Sequence, residues 1–173
     1  YMSRNCQRAE SLCRDRIAFN CMDATIRPAR AEDAATVAAV HNRSRAQAFR
    51  GHIADEVLDN YAPLERKWAE YFDAPDGRAY LAEVDGEAVG MAYSVPGERT
   101  ELCNLYLLEH AAGNGISERL LAAVVHPGEP ALLWVAEFNE HAQAFYHKHG
   151  FTFDGEETHH AGDDVTLKRM VRG

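Results

Sequence analysis

The sequence predicts an α/β (α+β) fold: a mixed, mostly antiparallel central sheet flanked by helices. Two alternating apolar strands, Arg78–Val84 and Glu87–Val95, are separated by Asp85-Gly86, a dipeptide that closes a two-residue hairpin. A third strand, Thr100–Leu108, runs into a glycine-punctuated turn, a helix and the apolar run Ala131–Phe138. A strand–helix–strand crossover is right-handed and sets its two strands parallel. A last strand pair, Phe151–Glu157 and Val165–Met170, extends the sheet.

Residues 1–21 are polar, rich in arginine and without periodicity, and read as a poorly ordered leader; residues 22–173 read as a single domain. Within it, Ala24–Pro28 reads as a strand. Glu32–Asn42 reads as an alanine-rich helix with Ala35, Val37, Ala38 and Val40 available to pack, and Ala46–Phe49 as its extension or a second turn. Ile53–Asn60 and Leu64–Phe72 read as short amphipathic helices on either side of Pro63, and Pro75-Asp76-Gly77 as a turn. After the three-strand meander, Gly115–Val125 carries Ile116, Leu120, Leu121 and Val124 on one helical face. Asn139 can cap the helix that carries Phe145 and Tyr146, and Gly150 ends it.

At 173 residues the chain is long enough for one full core. A net charge of −9 and a pI near 5.4 argue against nucleic acid or an anionic membrane as partner and are compatible with a cationic amine, although acidity also serves solubility. No apolar run is long enough to span a bilayer. Cys6, Cys13, Cys21 and Cys103 match no zinc spacing, and free thiols in a reducing cytoplasm are expected.

The turn after Leu108 carries the most information. Gly113 and Gly115 permit a tight backbone, and a helix starting near Gly115 aims unpaired N–H groups and a positive dipole end at one point. That geometry holds a phosphate or pyrophosphate without a basic side chain. An ordinary strand–turn–helix connection reads the same stretch equally well.

The motif LYLL…GNGISERLL, together with Asn139, Ala142, Phe145, Tyr146, Gly150 and Phe151 at their spacing, resembles the GCN5-related N-acetyltransferase (GNAT) superfamily. The resemblance covers the chain from about Ala24 onward. It implies an acetyltransferase-like sheet with a splayed parallel strand pair, acetyl-CoA as co-substrate, and direct acetyl transfer to a primary amine of a small molecule. It implies cofactor contacts at Leu105, Tyr106, Leu107, Ala112, Gly113, Asn114, Gly115, Ile116, Ser117, Asn139 and Phe145. Leu107 would offer its backbone N–H to the thioester oxygen. SRAQAFRGHIADEVLD resembles the substrate-side helices of family members, and a homodimer is compatible with the family. The chain departs from the usual turn pattern at three places. Ala112 stands where Arg or Gln is usual, Ser117 where a last glycine is, and Glu109 where a proline is often found.

Two residues carry the implied chemistry. Tyr146 matches the family's acid, and a phenol stays protonated at neutral pH and suits a departing thiolate. Glu101, at the head of its strand, is the candidate base, directly or through water, with a solvated strand-end carboxylate as the equal alternative. Strict alternation would place Glu101, Cys103 and Leu105 on one face. No metal site is expected: His141, His147 and His149 do not share a helix face, His159-His160 fall in a loop, and no HExxH occurs. His159 or His160 could instead line an acceptor pocket. Trp68, Tyr71 and Phe72 read as core, with Phe49 and His52 nearby. Asp55, Glu56 and Asp59 form an acidic surface able to attract a cation. Two other readings remain within the resemblance: a non-catalytic acyl-CoA-binding or sensor module, and a protein or peptide N-acetyltransferase.

Overall fold

The computed structural model describes residues 23–59, 64–72, 76–162 and 164–173. The expectations for the leader, its three cysteines, Pro63 and Pro75 lie outside the described residues.

Among the described residues, seven strands form one sheet in the order β1-β2-β3-β4-β5-β7-β6. They are β1 (Ala24–Pro28), β2 (Arg78–Val84), β3 (Glu87–Val95), β4 (Thr100–Leu107), β5 (Ala131–Ala136), β6 (Thr152–His160) and β7 (Val165–Arg172). The helices are α1 (Ala34–Phe49), α2 (Asp55–Asp59), α3 (Glu65–Phe72), α4 (Ile116–Val124) and α5 (Glu140–Lys148). Among the described strands, only β4 and β5 pair in parallel. The last strand inserts between β5 and β6, an order that no local signal in the chain announces.

The β2–β3 hairpin turns at Asp85 and Gly86, with φ of 52° and 82°. That left-handed pair matches strand twist, which is why Asp-Gly closes such loops. The alanine-rich stretch forms one continuous helix that runs through to Phe49. Its buried stripe, Ala34, Val37, Ala38, His41, Ser44 and Arg45, follows the helical repeat. Ala34, Val37, Ala38 and Val40 of this helix, with Trp68 of α3, cover one sheet face at Leu81, Met91 and Tyr93. The other face is covered by α4 through Ile116, Leu120, Leu121 and Val124, against Ala82, Ala92, Leu102 and Leu133. Leu81 and Ala82 are adjacent, so they point to opposite faces and each reaches its own core.

His159 and His160 belong to the end of β6 rather than to a loop, and His159 Nε2 lies 3.1 Å from Asp164 Oδ1. Trp68, Tyr71 and Phe72 pack in the core between α3 and the sheet. Asp55 and Asp59 each meet Arg50 at 2.8 Å, so that acidic surface already holds a cation of the chain itself.

Candidate active site

A gap in the sheet positions the site. β4 and β5 pair at Thr100↔Ala131, Glu101↔Leu132 and Leu102↔Leu133, and then part. Beyond that point β4 stays with β3 as far as Leu107, and β5 stays with β7 as far as Ala136.

A bulge in β4 sits where the strands separate. Asn104 faces Tyr93 and Leu102 faces Ser94, which leaves Cys103 as an extra residue. One added residue reverses the alternation downstream. Leu105 therefore packs with Leu102 in the core on the α4 side. The expectation that Glu101, Cys103 and Leu105 share a face is corrected, because Leu105 has crossed to the opposite face.

The Leu108 N–H donates to Val89 O at 2.8 Å. Successive amides on a strand alternate in direction, so those of Leu107 and Leu105 point away from β3 and into the gap. A cavity of about 450 Å³ adjoins them. β4 lines it with Leu105, Tyr106 and Leu107, and Asn139 and α5 line it with Ala142, Phe145 and Tyr146. Ala112 and Ser117 border it at the turn.

The turn has the conformation its glycines permit. Gly113 and Gly115 have φ of 81° and 72°. A Cβ on either would meet nothing within 4 Å, so backbone conformation rather than crowding requires glycine, and the space beside the turn is open. Gly115 is the N-cap of α4, without a side-chain cap. The first intrahelical bond runs from the Arg119 N–H to Gly115 O at 3.2 Å. The amides of Ile116 and Ser117 have no intrahelical acceptor. Such an array, at the positive end of a helix dipole, suits an anion. Glu109 also lines the cavity, and its carboxylate opposes one.

Tyr146 is buried at 9 % exposure, with Phe145 and Phe151 edge-on at 5.3 and 5.9 Å. Burial pushes its phenol above the ordinary value of 10, and nearby Tyr106 adds to the shift. The Asn139 side chain accepts from the Ala142 N–H at 3.1 Å and so caps α5. Glu101 is exposed at the closed end of the gap and does not line the cavity. The structure therefore brings Tyr146, Asn139 and Phe145 together with the β4 residues, and leaves Glu101 apart from them.

Sequence reasoning named the helical region but missed the side chains that α1 brings to the cavity: Ser44, Gln47 and Ala48. Their spacing of three and four residues was the available signal, masked by an alanine-rich pattern that reads as packing alone. Gln47 Oε1 accepts from the Glu109 N–H at 3.3 Å, tying α1 to the start of the turn. His141, which belongs to no metal-binding pattern, lines the cavity from α5.

Known proteins resemble this chain in sequence and in fold. The acetyltransferase (GNAT) family model matches residues 46–151. A probable N-acetyltransferase of Mycobacterium tuberculosis is 30% identical over 140 residues, spanning 75% of this chain and 80% of that protein. An uncharacterized N-acetyltransferase of Mycobacterium bovis is 33% identical over 132 residues, spanning 69% and 83%. Among solved structures, the PaiA N-acetyltransferase of Thermoplasma acidophilum, in complex with coenzyme A, superposes with a TM-score of 0.68 at 19% identity, over 86% of this chain and 98% of that one. The chain belongs to the GNAT family of acetyltransferases.

Proposed function

We propose that this protein transfers an acetyl group from acetyl-CoA to a primary amine of a small molecule, by direct attack in a ternary complex. One observation carries the reading. The amides of Leu105 and Leu107 turn into a gap whose cavity is bordered by the donor turn and by the buried phenol of Tyr146. The donor chemistry fits the co-substrate: amides of Gly113, Asn114, Gly115, Ile116 and Ser117 suit a diphosphate, and the Leu105–Leu107 edge suits an amide-bearing arm. Ala112, Asn139 and Phe145 are proposed as further contacts. Acetyl-CoA supplies the activated acyl group.

The chain's own groups then have distinct tasks. The Leu107 N–H donates to the thioester oxygen and stabilises charge that develops there. Glu101 stands outside the cavity, so it is proposed as base only through a chain of water, which carries to it the proton that the ammonium form of the acceptor must lose before its nitrogen can attack. The C–N bond forms, the C–S bond breaks, Tyr146 gives its proton to the leaving thiolate, and the second proton that the nitrogen sheds as the amide forms returns to the Tyr146 phenolate. A cytoplasmic setting fits the unbridged thiol of Cys103.

A non-catalytic acyl-CoA sensor has one observation in its favour: Glu109 borders the cavity where an anion would sit, with Ala112 rather than a basic side chain beside it. Thermal-shift titration with CoA and acetyl-CoA, followed by thiol release against a panel of small amines and amine-bearing peptides, separates the readings. Stabilisation with thiol release from small amines is expected. Stabilisation without release from any amine would favour the sensor, release from peptides alone a peptide acetyltransferase, and no stabilisation at saturating ligand would end the CoA reading.

A further inference from the structure

Ser44 is an unexplained polar group. It lines the cavity from α1, it is 3 % exposed, and its hydroxyl has no hydrogen-bond partner among the described residues. Asn42 Oδ1 on the same helix is also without a hydrogen bond among the described residues, but Asn42 does not line the cavity, and the buried polar side chains of Ser94, Thr100 and Asp33 elsewhere in the fold are satisfied. Ser94 Oγ donates to Val124 O at 2.7 Å, Thr100 Oγ1 donates to Glu129 at 2.7 Å, and Asp33 accepts from Arg27 at 2.8 Å. A serine within a helix has a ready outlet in the carbonyl four residues back, here Val40, and Ser44 does not use it. An orphaned buried hydroxyl costs stability, so its presence on a cavity wall points to a partner that arrives with the ligand.

Position along α1 narrows what that partner is. Gln47 and Ala48 follow Ser44 by three and four residues, line the same cavity, and lie beside the turn, where Gln47 contacts the Glu109 amide. Ser44 is therefore about one helical turn, roughly 5 Å, farther from the turn along the cavity. With a diphosphate at the turn, that step reaches the arm that links it to the thiol, whose polar groups are amides and a hydroxyl. On the opposite wall Ala142 and Phe145 are apolar, and the polar side chains there are those of Asn139, His141 and Tyr146.

We propose that the Ser44 hydroxyl hydrogen-bonds an amide of the pantetheine arm and is a side-chain determinant of cofactor binding on the α1 wall. This rests on the acetyl-CoA reading above. No bond is made or broken in the step; the hydroxyl exchanges an unmet state for a paired one.

The test is calorimetric titration of the wild type and Ser44→Ala with CoA and with 3′-phospho-ADP, which lacks the arm, alongside the melting temperature of each unliganded protein. Removing one such bond is expected to weaken CoA binding about fivefold. Binding of 3′-phospho-ADP stays the same. The unliganded variant melts no lower than the wild type, because an unsatisfied buried hydroxyl has been removed. Equal CoA affinity in the two proteins would overturn the proposal while leaving the acetyl-CoA reading intact. Equal weakening toward both ligands, or a clear fall in melting temperature, would also overturn it, since either marks Ser44 as structural. A wild type that binds no CoA would remove both readings together.

Discussion

Thr100 Oγ1 donates to Glu129 Oε1 over 2.7 Å, across the closed end of the gap between β4 and β5. Arg78 grips the same carboxylate at 2.8 Å, and the His126 N–H adds a bond at 2.9 Å. The Thr100 N–H reaches Pro130 O, so side chain and main chain together pin the point from which the strands diverge. Arg78 foremost, and then Thr100, holds the Glu129 carboxyl down at about 2. A carboxylate shifted down in the folded state contributes stability that is complete above its unfolded value and is lost as pH falls toward its folded one. Glu129→Gln is expected to cost about 1–3 kcal/mol in urea unfolding at neutral pH. The gap between variant and wild type should narrow from pH about 4.5 to about 2. A constant gap through that range would contradict the assignment.

His41 stacks on Tyr106 at 4.7 Å between ring centroids and meets the edge of Trp68 at 5.8 Å. Burial, with the cations Arg45 and Lys67 adding to it, pushes its imidazole down to about 4. The native state therefore refuses a proton that the unfolded chain accepts. The stability this neutral ring contributes is intact above pH about 6.5 and declines as pH falls toward 4, by up to roughly 3 kcal/mol. Unfolding free energies at pH 7.5, 6 and 5 measure it. His41→Phe, which keeps a ring and removes the titration, should flatten the slope over that interval; an unchanged slope would mean that another group titrates.

Features written in local chemistry were readable: Asp85-Gly86 as a left-handed turn, Gly113 and Gly115 at the entry to α4, and Asn139 as the cap of α5. Each depends on conformations available to a few consecutive residues. Cys103 as a bulge was not readable, since a bulge is defined by the partner strand, here Tyr93 and Ser94, and alternation within β4 carries no mark of it. The α1 wall was hidden for a related reason. Ser44, Gln47 and Ala48 look like one more helical stripe until tertiary packing shows that a cavity, not core, lies against them.

Glu109 borders the cavity close to where an anion would bind, in place of a neutral residue. A like charge in a partly solvated site costs on the order of 1 kcal/mol and is screened by salt. Glu109→Gln is expected to tighten CoA binding about fivefold at low ionic strength, with the advantage shrinking as salt is added. Titrations at two salt concentrations measure this. Equal affinities at low salt would place the diphosphate elsewhere.

Tyr146 lies in the core between Phe145 and Phe151, and burial holds its phenol above the ordinary value. A group so shifted stays protonated through the neutral and mildly alkaline range, which suits a proton donor and excludes a resting base. Tyr146→Phe keeps the ring and its packing and removes only the hydroxyl that carries the proton. With an acid of this kind removed, kcat is expected to fall about 100-fold, while the affinity for CoA measured by titration changes little. The wild-type rate should show no loss of an essential acid up to pH about 9, because the donor titrates above that range. If kcat were preserved in the variant, the leaving thiolate would be taking its proton from water, and Tyr146 would be a wall of the cavity rather than a participant in the chemistry.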